Sequence, residues 1–132
     1  MSVLWLKLSR KAVSAEAARK AKQEKAALEK EKKQNQKLAI RIVTIVAKEL
    51  EIGEAFREDD VYPMLPKVMR KDLEARTREL QTIHDSADIV KDDGKGLTPT
   101  MEHVQETLKA AREVTTHIGN MVEVIRQAKC LQ

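Results

Sequence analysis

Aromatic residues are almost missing from this chain of 132 residues, which has one Trp, one Tyr and one Phe. So few rings exclude a large aromatic core, and equally a stacking platform of the kind that reads single-stranded nucleic acid. Cysteine is nearly absent too. Cys130 stands alone, so no intramolecular disulfide can form, and a single thiol fits a reducing setting. No apolar run approaches the roughly 18 residues that a membrane-spanning helix needs. The expected location is therefore intracellular, either cytoplasmic or peripheral to a membrane, with import into an organelle as a further reading. Four glycines and three prolines are too few for a loop-rich or many-stranded fold.

What is abundant points to long helices. Hydrophobic residues make up 42% and charged residues 35%, in the Ala, Glu, Lys, Leu and Arg balance of an all-α domain. The clearest periodicity lies in residues 98–129. Met101, Val104, Leu108, Ala111, Thr115, Ile118, Val122 and Ile125 recur at steps of three and four, a heptad seam with one polar slip at Thr115. Val114, Met121, Val124 and Ala128 widen that face beyond a two-stranded coiled coil, toward a bundle. Thr98 is placed to cap this helix and Pro99 to occupy its first position.

A second seam runs over residues 66–91 through Met69, Leu73, Leu80, Ile83, Ala87 and Val90, interrupted by Arg76. The short loop from Asp92 to Leu97 makes these two helices an antiparallel hairpin about 40 Å long. Upstream, residues 38–52 are apolar around most of a helix, leaving Arg41, Thr44, Lys48 and Glu51 as a narrow polar stripe. Such a segment is expected to be buried among several neighbours. Gly53 offers a stop, so the first helix is expected over residues 14–52. Pro63 and Pro66 break the chain before the second helix, with Asp59 or Asp60 as a turn cap.

These elements predict a coiled-coil-like three-helix bundle. Its interface draws on Ile42, Val43, Ile45, Val46 and Leu50 of the first helix and Leu73, Leu80 and Ile83 of the second. Leu108, Ile118, Val122 and Ile125 complete it from the third.

The net charge of +4 hides a division. Residues 1–50 carry 13 Lys and Arg against 5 Glu, whereas residues 51–132 carry 12 against 16. The chain accordingly reads as three segments: 1–13, 14–37 and the bundle at 38–132. The first, MSVLWLKLSRKAV, is basic and amphipathic, with Leu4, Trp5 and Leu8 on one side and Lys7, Arg10 and Lys11 near the other. That is the pattern of an anchor for a membrane interface or a partner. The second reads as a charged, projecting helix whose basic residues are Arg19, Lys20, Lys22, Lys25, Lys30, Lys32, Lys33 and Lys37. Anionic lipid suits this arm. Nucleic acid is the weaker target, because glutamates interrupt the basic run and binding would be non-specific and salt-dependent.

An amphipathic start, a basic long helix and a helical hairpin, in that order, form a layout similar to that of membrane-remodelling proteins of the ESCRT-III kind. The resemblance is one of layout and implies a peripheral membrane role.

Candidate chemistry is sparse. His84, His103 and His117 have no second His or Cys at the spacing of a helical metal site. Asp88, Asp92 and Asp93 do not fall at the alternate positions of a calcium loop. Lys95 between two glycines is not part of a Walker loop, and Cys130 has no nearby His base. No catalytic residue, metal or cofactor is expected. The functional expectation is a non-enzymatic structural or adaptor subunit that assembles with its own kind or with other chains; the alternatives are a peripheral membrane-binding protein and a non-specific nucleic-acid-binding one.

Overall fold

The computed structural model describes the backbone of residues 2–131 and the side chains of residues 15–131. Three helices carry the fold: α1 (Ser2–Glu58), α2 (Lys67–Asp93) and α3 (Met101–Cys130), with a short 3-10 turn at Tyr62–Met64. The architecture is all-α, a three-helix bundle, with no strand among the described residues.

Side-chain contacts between the helices fix their directions. Asn35 lies beside Gly94, and Gly53 beside Leu73 and Thr77, so α1 and α2 are antiparallel. Glu49 meets Thr115, Phe56 meets Gly119 and Asp59 meets Arg126, so α1 and α3 are parallel. The order is up, down, up. The closest association joins α1 to α2, where the sequence had pointed to the α2–α3 hairpin as the principal unit.

The core has two parts. Ala39, Ile42 and Val46 pack with Leu80, Ile83, Ala87 and Val90 and with Val104, Leu108 and Ala111. Toward the other end, Val61, Leu65, Leu73, Ile118 and Val122 form a second cluster, flanked by Phe56, Tyr62, Met69 and Ile125. Fully burying an aliphatic side chain of this size contributes about 1.5–3 kcal/mol before the entropy of ordering is set against it. Of the expected interface residues, Ile42, Val46, Leu73, Leu80, Ile83, Leu108, Ile118 and Val122 are buried. Val43, Ile45, Leu50 and Ile125 are half-buried against the same clusters.

Several expected boundaries move. Gly53 does not stop α1, which continues to Glu58; the glycine is buried in the helix, facing Leu73 and Thr77. Tertiary contact with α2 supports the next turn and outweighs a modest loss of helix propensity. At the other end α1 begins at Ser2, upstream of the expected start at residue 14. The α3 cap is Thr100, whose hydroxyl accepts from the His103 backbone N–H at 3.2 Å, and Thr98 and Pro99 belong to the loop. Asp59 does cap the turn after α1, accepting from the Val61 N–H at 2.9 Å. The segment 38–52 is covered on two sides only, so Ile40 and Ile52 remain about half exposed, at 49% and 45%.

The end of the bundle is closed by a contact with α1. Gly94 ends α2 in a left-handed conformation at φ 71°, its N–H donating to the Val90 carbonyl at 2.8 Å. The side chains of Asn35 and Gln36 reach across from α1. Asn35 Nδ2 donates to the Gly94 carbonyl at 3.3 Å, and Gln36 Nε2 to the Asp92 carbonyl at 3.1 Å, meeting acceptors that a helix end leaves open. A Cβ on Gly94 would stand 2.5 Å from the Lys32 carbonyl oxygen.

The two glycines of α1 and α2 therefore respond oppositely to alanine. Gly94→Ala combines a disfavoured backbone conformation with a backbone clash and is expected to cost at least about 2 kcal/mol. At Gly53 the added methyl meets only ordinary contacts of 3.7 Å. Gly53→Ala is expected to stabilise by about 0.5–1 kcal/mol. Urea denaturation of the two variants beside the wild type measures both.

Candidate interaction surfaces

Leu4, Trp5, Lys7, Leu8, Arg10 and Lys11, the expected amphipathic anchor, lie outside the described side chains.

α1 is about 86 Å long at 1.5 Å per residue, while α2 and α3 are roughly half that. Because α2 ends against Lys32, the earlier part of α1 projects about 50 Å past the bundle. Every residue from 15 to 34 is exposed. All eight expected arm cations, Arg19, Lys20, Lys22, Lys25, Lys30, Lys32, Lys33 and Lys37, stand in solvent.

These cations do not share one face. Taking 100° per residue, the buried Ala39, Ile42, Val46 and Gly53 define the inner side of α1. On the opposite side lie Arg19, Lys22, Lys30, Lys33 and Lys37, and the same line continues along the bundle through Arg41 and Lys48. The steps are three and four throughout, with Ala26 and Thr44 filling the remaining positions. The result is a straight cationic stripe about 44 Å long. Glu24, Glu31 and Glu49 fall on the inner side, and among the acids only Glu29 borders the stripe along this length. Lys20, Lys25 and Lys32 sit off it, roughly 100° or more around the helix.

This stripe is the feature the sequence reading missed. Its signal was present, since Arg41, Thr44 and Lys48 had been picked out as a polar line, and the same count carried upstream reaches Arg19.

The end of the bundle nearest the arm has the opposite sign. Asp85, Asp88, Asp92, Asp93, Glu102 and Glu106 cluster toward the α2–α3 loop. The Asp88 carboxyl is held below its ordinary range by the Lys91 ammonium, which donates to it at 2.8 Å and is itself raised in turn. Asp85 is lowered chiefly by a hydrogen bond from Gln81, then by His84. Both carboxylates are solvent-exposed, so these contacts are weak and screened by salt.

Between the two core clusters lies a polar layer. Glu49 is 6% exposed, and its Oε2 stands 3.5 Å from Arg112 Nε, an arginine that remains open to solvent. The Thr115 hydroxyl donates to the Arg112 carbonyl at 3.1 Å and lies 3.4 Å from Glu49 Oε1. The slip in the α3 seam thus faces a buried carboxylate.

Chemistry does not concentrate anywhere else. Among the described residues no three metal-capable side chains converge. His103 and His117 are exposed on α3 and His84 is half-buried beside Asp85. A shallow depression of about 530 Å³ is lined by Lys109, Arg112, Glu113, Thr116, His117 and Asn120. All six belong to α3, so it is the solvent face of one helix and not an enclosed cavity. Cys130 is exposed near the end of α3, and no described helix is long and apolar enough to cross a membrane.

Fold and surface together define the class: an all-helical three-helix bundle with a long exposed cationic arm. No family model, curated protein or solved structure matches this chain.

Replacing a buried ion pair by apolar groups is often neutral or favourable, and Arg112 would return to solvent without cost. Glu49→Leu with Thr115→Val is therefore expected to leave thermal stability unchanged or raise it by about 1–3 kcal/mol. Calorimetric melting checks this, and a marked fall would show that the layer supports the bundle.

Proposed function

We propose that the chain is a non-enzymatic structural or adaptor subunit that assembles with other chains through a face of its arm. The observation that carries this reading is the mismatch between a bundle complete with three helices and an arm that nothing in the chain covers. On the inner side of the arm, Ala17, Ala21 and Leu28 continue the line of Ala39, Ile42 and Val46 beyond the point where α2 and α3 end. Leu28 is 58% exposed there, the one large apolar side chain of the arm's inner line among the described residues. A small-residue stripe with a leucine anchor suits a second helix laid alongside, whether from another copy or from a different protein. Of the exposed apolar residues elsewhere, Val68 and Ile89 stand near opposite ends of α2 and Leu97 in the loop after it, so they offer no comparable line.

A second reading, surface binding by the basic outer side, is favoured by the stripe from Arg19 to Lys48.

Sedimentation velocity over a wide concentration range tests the assembly reading. The full chain is expected to sediment as a species larger than its 15.0 kDa monomer. Leu28→Glu is expected to weaken association roughly tenfold or more, as loss of an interface anchor does. Its melting temperature should be unchanged, because Leu28 contributes nothing to the bundle core. A full-length monomer at every concentration, indifferent to this substitution, would count against self-assembly.

A further inference from the structure

We infer that the outer face of α1 is a docking surface for an anionic lipid bilayer, with the helix lying along the membrane plane. This goes beyond the assembly reading and uses the opposite side of the helix.

The argument is geometric. From Arg19 to Lys48 seven cations occupy one sector of a straight helix, at intervals of about 4.5–12 Å along its axis. A plane of negative charge meets all of them at once. A nucleic-acid duplex curves away from such a line, so only part of the stripe would meet its phosphates at once. Near absence of aromatic side chains removes base stacking as compensation. The straight stripe thus matches a flat anionic partner.

The sequence register supplies an independent second argument. Continued upstream from Arg19 by the same steps of three and four, the line passes Ala15, Ala12, Leu8 and Leu4. Apolar positions therefore precede the basic ones in a single register, which combines the two contributions that hold peripheral helices on membranes: insertion of apolar groups and attraction to acidic headgroups. Screening then separates near cations from far ones. The helix is 10–12 Å across, comparable to the Debye length of about 8–10 Å at physiological salt, so cations on the far side contribute little.

The test is vesicle co-sedimentation of the full chain, using phosphatidylcholine vesicles with and without phosphatidylserine. One variant carries Lys30→Glu, Lys33→Glu and Lys37→Glu on the stripe. Its control carries Lys20→Glu, Lys25→Glu and Lys32→Glu, the same change in net charge at positions off it. Circular dichroism establishes that both remain helical, and a short DNA duplex is titrated in parallel at the same salt. Binding is expected only with phosphatidylserine present. The stripe variant should lose at least about 100-fold in affinity, from roughly fivefold for each of the three cations removed, with repulsion of the three added glutamates on top. The control should change by no more than a few-fold. Equal losses in the two variants would reduce the effect to net charge and overturn the proposal. So would failure to bind acidic vesicles, or binding to the duplex in preference to them.

Discussion

α1 is nearly twice as long as the helices that cover it, and most other features follow from that mismatch. Two helices of 27 and 30 residues bury about half of a rod of 57, so the chain had to give its two halves different compositions. From Leu38 onward the helix is apolar on its inner side and is held by tertiary packing. Before it, alanines and charges must sustain the helix in water. Glu16 lies four residues before Lys20 and Glu29 four before Lys33, the favourable order for charged pairs along a helix. The junction is set by backbone contact at Gly94 against Lys32, where a side chain would have forced the α2–α3 loop outward.

Within the covered half, the polar layer at Glu49 and Thr115 interrupts an otherwise aliphatic core. Helices with heptad seams can slide by seven residues and still match apolar to apolar. Sliding α3 by one heptad here would bring Leu108 or Val122 against the Glu49 carboxylate. A buried polar contact of modest strength can therefore discriminate between registers through the cost it imposes on the wrong ones.

Much of this was legible from residue spacing. The seams of α2 and α3 named the core because burial requires periodicity, and periodicity survives in the linear sequence. Helix ends were less legible, since they depend on which neighbour is present. Gly53 looks like a terminator until Leu73 and Thr77 are beside it, and Thr98 looks like a cap until Thr100 supplies a better one. Asn35 and Gln36 read as ordinary residues of a charged run, and only the fold brings them to the end of α2. Glu49 falls off the polar stripe of its helix, and sequence distance conceals its nearness to Arg112. The cationic stripe was hidden for a different reason: summing charge over a segment discards the angle at which each charge stands.

That angle has a consequence for how the molecule presents itself. No proline interrupts α1, and its only glycine is packed inside the bundle, so the arm has no hinge. A cylinder lying on its side is ordinarily free to roll, and whatever it carries would then face every direction in turn. Here the stripe is set diametrically opposite Ala39, Ile42 and Val46, the residues that hold α2 and α3. Any surface that takes the stripe fixes the roll of the cylinder. It leaves the two shorter helices, with their acidic end, standing outward like a keel, at the same orientation in every copy.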